Sequence, residues 1–211
     1  MEFTCEAQPD YVDDTTTHLI SSDCGAFSTV MTKQIVQACV RHVFISSIDW
    51  ILLSLQQSFV LDQFPFEILR DRTSPADSRG IKQCRFDYLP VFPSSCVLSV
   101  ECSTGIEPLG MSRDELIDLV DLTGATLLNE YIDCKTLIVI CNSKSEMIAR
   151  RQQDEDQSWP SNEKTIHYCS PDFLFDSIVR HEVQSLEPYA FESEPRSQSV
   201  RSEERRVGKE C

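Results

Sequence analysis

HVFISSIDWILLSLQQSFVLDQFPF (residues 42–66) and TIHYCSPDFLFDSIVRHEVQSLEPYAF (residues 165–191) carry one pattern twice. Each opens on a short β-branched and aromatic run, the signature of a buried strand. Each then meets Ser and Asp at the head of an apolar stretch with helical spacing, and leaves through a polar segment into an aromatic and proline exit. Trp50 and Phe173 hold the same helical position in the two copies and read as core anchors. A strand, capped helix and exit that occur twice at this distance form an internal repeat.

Outward from the first copy, THLIS (residues 17–21) reads as another short strand. Between the two, residues 27–41 place Val30, Met31, Ile35, Val36, Cys39 and Val40 at helical spacing, with Ser28 or Thr29 as N-cap. Outward from the second copy, CVLSVEC (residues 96–102) reads as a strand. Residues 113–122 read as a helix turning Leu116, Ile117, Leu119 and Val120 inward, and Gly124 marks its stop. Further strands are expected at 126–128, 136–141 and 164–168, and a short helix at 145–152. Alternation of strand and helix implies parallel pairing, hence an α/β fold. Residues 70–87 (RDRTSPADSRGIKQCRFD) are polar, aperiodic and broken by Pro75 and Gly80, which reads as a linker. The units expected are 1–69, a partial first repeat; 70–93, a linker; 94–192, a complete second repeat; and 193–211, a disordered tail.

The chain has 211 residues and a net charge of −15, from 34 acidic and 19 basic side chains. That surplus argues against DNA or an anionic membrane as the main partner, since phosphate-rich surfaces demand excess Lys and Arg. No run approaches the roughly 18 to 20 apolar residues of a membrane span, and an intracellular, soluble protein is expected. The ten cysteines sit within apolar strand and helix patterns and read as reduced, mostly buried thiols. Cys39 with His42, and His167 with Cys169, are stray pairs short of the four ligands a structural zinc needs, so no metal or cofactor is expected. No GxSxG, P-loop, GxGxxG or HExxH occurs. His18, His42, His167 and His181 have no carboxylate or Cys at a catalytic spacing, and His18 reads as structural. The expectation is a binding protein and not an enzyme.

THLIS, HVFISSIDW, LDQFPFEILRD, MSRDELIDLVDLTGATLLNE and SPDFLFDSIVRHEVQSLEPYAF occur in that order, and together they resemble the tandem BRCT family over about residues 14–191. The resemblance implies two repeats, each a four-stranded parallel sheet flanked by helices, packed into one unit. Only 16 residues precede Thr17, where a complete repeat places its first strand, first helix and second strand, so the first repeat reads as incomplete and the chain as a fragment. The tail SEERRVGKEC (residues 202–211) resembles translated sequencing adapter and is set aside as artefactual.

Functionally, the resemblance implies a nuclear module that binds phosphorylated Ser-x-x-Phe-like peptides of DNA-repair proteins, in the DNA damage response and double-strand break repair. The resemblance includes a member that is a ubiquitin-ligase subunit through an N-terminal RING domain; no RING cysteine pattern stands in this chain, so any ligase role or RING-domain partner would belong to a region outside it. The resemblance places the phosphate on Thr32, with Gln34 at the family's Lys position, Lys33 beside it, and Met31 where the family has an Arg. It places an apolar pocket between the repeats on Val36, Met111 and Phe175, with Gly110 beside Met111. Gln34 and Met31 stand where charges are expected, and they support the alternative of a BRCT scaffold that binds partners without reading phosphate.

Overall fold

Parallel sheets do form from this alternation in the computed structural model, which describes residues 11–102, 109–128, 134–156 and 165–191. The first half contains β1 (His18–Ser21), β2 (Ser28–Thr29), α1 (Lys33–Val40), β3 (Phe44–Ser47) and α2 (Asp49–Gln57). Strand β4 (Arg70–Asp71) and helix α3 (Gly80–Phe86) follow. The second half contains β5 (Val97–Val100), α4 (Arg113–Leu122), β6 (Thr126–Leu127), β7 (Thr136–Ile140), α5 (Lys144–Asp156), β8 (Thr165–Cys169) and α6 (Asp172–Arg180).

Strands β5 to β8 make one parallel sheet in the order β6-β5-β7-β8. Its β5 and most of β7 are buried, as expected of strands covered on both faces. The first half is less complete: β1 pairs with β3, and β2 pairs with β4, both in parallel. The expected unit of strand, helix, strand and helix is therefore present as β1, α1, β3 and α2, and it matches β7, α5, β8 and α6.

The duplicated pattern read from the sequence is a duplicated structure. Helices α2 and α6 both end on a residue in the left-handed region, Ser58 (φ 57) and His181 (φ 53). Both are followed by a single 3₁₀ turn, Phe64–Phe66 and Glu187–Tyr189. Each exit returns to its own sheet through one antiparallel bridge, Glu67 to Ser46 and Ala190 to Cys169. Burial breaks the symmetry. Phe173 is fully buried, whereas Trp50 is only partly so. Helix α2 has no buried residue and leaves Leu52 and Leu55 exposed, and the Trp50 indole N–H donates to the Leu61 carbonyl at 2.8 Å while the ring stacks on His18. The core role expected of both aromatics holds for Phe173, whose helix α6 is packed on by α1 and α3, and not for Trp50.

One other expectation, the start of the first helix, is corrected. The helix expected over 27–41 begins at Lys33, capped by Thr32 and not by Ser28 or Thr29. Residues 28 and 29 are taken up by the ladder with Arg70 and Asp71, and the backbone reaches them through left-handed conformations at Gly25, Ala26 and Phe27. The aperiodic linker holds an ordered strand and a helix, and the helix buries Ile81 and Cys84 against α1 and α6. Two inward residues on two turns are too few to show as periodicity.

The core is continuous across the halves: Ile35, Val36 and Ile45 share a cluster with Leu98, Leu116, Phe173 and Ile178. Helices α1, α3 and α6 meet there. Gly80 makes the approach possible, because a Cβ on it would lie 2.4 Å from the Val179 carbonyl oxygen and 2.6 Å from the Arg180 Cα. Glu67, buried, ties α3 to the first half by accepting from Arg85 at 2.7 Å. The Arg85 guanidinium lies over the rings of Phe86 (3.7 Å) and Phe44 (4.8 Å), so this charge is paired and also covered by aromatic faces. Among the described residues no helix is long and apolar enough to cross a membrane.

Gly80→Ala should lower stability by about 1–3 kcal/mol through overpacking against backbone that cannot yield, read as a shift in denaturation midpoint. Phe173→Ala should cost about 3–5 kcal/mol, the usual loss for a buried aromatic. Trp50→Ala should cost less than half of that in the same titration.

Candidate functional site

The first turn of a helix leaves amide donors without intrahelical acceptors and carries the positive end of the helix dipole. At α1 that turn is Lys33, Gln34 and Ile35, entered through extended backbone at Thr32. Thr32 Oγ1 accepts from the Ile35 amide at 3.3 Å, and its carbonyl accepts from the Val36 amide at 3.1 Å. The hydroxyl proton of Thr32 is left to donate outward, and the side chain is exposed. Thr32 is therefore a hydroxyl at the head of a helix whose first amides point the same way, an arrangement suited to an anion.

Lys33 belongs to this turn, but its ammonium is engaged by Glu115 of α4. Glu115 also accepts from the Ser112 amide at 2.8 Å, while Ser112 Oγ accepts from the Glu115 amide at 3.2 Å, a complete capping box. A cation in the first turn opposes the helix dipole, whereas a carboxylate there agrees with it. Glu115 thus serves α4 directly and neutralises Lys33 on α1. Burial alone would raise the Glu115 carboxyl, but the Lys33 ammonium and the Ser112 amide together hold it below its usual value. One and two turns further along α1 come Gln37, buried, and Arg41, whose guanidinium meets Asp118 of α4 at 2.5 Å. Two ion pairs thus span the junction of the halves, a feature no local pattern in the sequence could show.

The structure brings the apolar residues Val36, Met111 and Phe175 into one cluster, and all three are fully buried. Met111, which the resemblance places in the pocket, is held in the core by the start of α4. Met111 and Leu116 hold the N′ and N4 positions of α4 and are both at 0% exposure, the placement of a hydrophobic staple. The capping box in the sequence was the signal that could have revealed it. Gly110, in the left-handed region at φ 66, is exposed, and Gln34 is partly exposed. Met31 is partly buried and packs against the core. The stray pairs Cys39–His42 and His167–Cys169 recruit no third ligand; among the described residues no group of three His, Cys, Asp or Glu is arranged to hold a metal ion.

Two parallel α/β halves, joined by a three-helix junction with a helix N-terminus beside it, make the fold that of tandem BRCT repeats, the first with its strands in two pairs where the second has one four-stranded sheet. Two structures of Rtt107p share it. One, a complex with a phosphorylated histone, gives a TM-score of 0.54 at 13% identity, covering 82% of this chain and 75% of that one. The other, residues 820–1070 of Rtt107p, gives 0.54 at 13% identity over 87% and 80%. No family model matches the chain. By sequence it is similar to Microcephalin of Hylobates lar, 23% identical over 179 residues that make up 84% of this chain. It spans only 18% of the length of that curated relative.

Because the folded Glu115 carboxyl titrates below its unfolded value near 4.5, its contribution is present above that pH and lost as pH falls through the lower, folded value. Glu115→Gln keeps the capping hydrogen bonds and removes this titration. The variant should lose less stability than the parent between pH 6 and pH 3, measured as the slope of unfolding free energy against pH.

Proposed function

We propose that the junction reads phosphorylated peptides. The observation that carries this reading is the head of α1, where the Thr32 hydroxyl and the first-turn amides of Lys33 and Gln34 converge at the surface. A phosphate of about two negative charges docks there, taking hydrogen bonds from Thr32 and the amides and drawing Lys33 from Glu115. The peptide continues toward Gly110, and its apolar side chain three residues on seats over the layer formed by Val36, Met111 and Phe175. Those three form the floor of the subsite, not its open walls. Peptides of the Ser-x-x-Phe kind are the ligand class, presented by partners in the DNA damage response and double-strand break repair in the nucleus. The complex of Rtt107p with a phosphorylated histone supports this reading by fold. The order of motifs resembles the C-terminal repeat pair of the breast-cancer susceptibility type 1 protein, which leads to the same ligand class and to the units 1–69, 70–93 and 94–192.

A second reading, a scaffold that binds partners without phosphate, is favoured by one observation: Lys33 is already satisfied by Glu115. The two readings part in a titration of phosphorylated and unphosphorylated Ser-x-x-Phe peptides followed by fluorescence anisotropy. The phosphopeptide reading expects a preference of at least roughly tenfold, about 1.4 kcal/mol, for the phosphorylated form. Glu115→Gln should widen the preference by freeing Lys33, and Thr32→Ala should narrow it while costing about 1 kcal/mol of stability for the lost cap. Equal affinity for both peptides, unchanged in Glu115→Gln, would establish the scaffold.

A further inference from the structure

At the far end of α1 from Thr32, a cleft of about 120 Å³ opens between the halves, lined among others by Cys39, His42, Cys84, Tyr88 and His181. Three helices supply its chemistry: Cys39 from α1, Cys84 from α3 and His181 from the left-handed cap of α6. The thiols of Cys39 and Cys84 line the same cleft and interact with each other. His181 lines the same cleft and interacts with Cys84, and its Nε2 lies 3.4 Å from Asp87 Oδ2, so a carboxylate backs the imidazole. Nδ1 of His42 donates to the Cys84 carbonyl at 2.5 Å and fixes that residue's backbone. The Cys84 sulfur also sits 3.2 Å from the Ile178 carbonyl. Tyr88, at 75% exposure, stands at the mouth of the cleft, so small solutes can reach it.

The environment separates the two thiols. Cys84 is held below the usual thiol range, first by the hydrogen bond from Cys39 and then, against burial, by His181. Cys39 is pushed well above that range by the same hydrogen bond and by burial. His181 is raised, chiefly by its bond to Cys84 with support from Asp87. Elsewhere burial pushes Cys102 and Cys141 up to about 12, which keeps them protonated and inert.

We propose that Cys84 and Cys39 form a peroxide-reactive dithiol, with Cys84 the attacking sulfur, His181 its proton partner and Cys39 the resolving thiol. The thiolate of Cys84 attacks one oxygen of hydrogen peroxide. The O–O bond breaks, a sulfenic acid forms on Cys84, and the departing hydroxide takes a proton from His181 and leaves as water. Cys39 then attacks the Cys84 sulfur; the S–S bond forms, the S–O bond breaks, and the hydroxyl leaves with the Cys39 proton as a second water. Two thiols and one peroxide give one disulfide and two waters. The new bond joins α1 to α3 and ends the Cys84 contact with α6, so oxidation is registered where the two repeats meet.

The test treats the whole chain with hydrogen peroxide at neutral pH, blocks remaining thiols by alkylation, and maps the tryptic peptides by mass. A disulfide between the peptides holding Cys39 (residues 34–41) and Cys84 (residues 83–85) is expected, forming at least roughly tenfold faster than oxidation of Cys102, Cys141 or Cys169. In Cys39→Ser the sulfenic acid on Cys84 should persist and be trapped by dimedone, and His181→Gln should slow the reaction without changing its product. The mapping of the unaltered chain stands alone if a variant fails to fold. Cys84 recovered as a free thiol alongside Cys102 and Cys169, or a disulfide made first by exposed Cys24, overturns the proposal.

Discussion

Helix α1 must be buried from several sides at once, and the rest of the molecule is arranged around that requirement. Of its eight residues, Ile35, Val36, Gln37, Ala38, Cys39 and Val40 are buried, which leaves Lys33 and Gln34 as the partly open end. The sheet of its own repeat cannot cover so much surface with two strands. Helices α4 and α6 of the second half and α3 from between the halves complete the cover. Each fully buried aliphatic side chain contributes about 1.5–3 kcal/mol, so α1 alone commits the halves to one arrangement. Gly80 lets α3 close onto α6, and the pair of Glu67 with Arg85 fixes α3 to the first half without leaving a buried charge alone.

Polar chemistry is pushed by this burial to the two ends of α1. At the N-terminal end the backbone supplies donors, and the charge balance between Lys33 and Glu115 decides how much of that positive potential an incoming anion meets. At the C-terminal end the chain turns through His42 in the left-handed region (φ 59), and thiols and imidazoles gather where three helices converge. One short helix thus has an anion-suited end at the surface and a sulfur-rich end in a cleft.

What the sequence showed and what it hid follow from range. Helix α4 was legible to its boundaries because the helical spacing of Leu116, Ile117, Leu119 and Val120 and the stop at Gly124 are local signals. The four-stranded sheet was legible because each strand is a β-branched run between breakers. The start of α1 was misread because Val30 and Met31 continue the helical period while belonging to the approach, and only pairing with the distant Arg70 and Asp71 reveals that. Trp50 and Phe173 are equivalent by pattern and unequal in burial, since burial depends on neighbours that pattern does not encode. Thr32 was marked as the phosphate residue by resemblance alone, within a helix expected to begin earlier. Its opponent Glu115, and the meeting of Cys84 with His181, depend on contacts far apart in the chain.

The shared core also bears on how the chain can be divided. By sequence, α1 belongs to the first repeat; by burial, it belongs as much to the second. A piece starting at residue 94 would keep its four strands but lose α1 and α3 from the surface that Ile178 and Val179 now cover. Such a piece would present a fresh apolar patch to solvent and to its own copies, the condition for self-association. Aggregation of the isolated second half would therefore report a missing neighbour and not a defective domain.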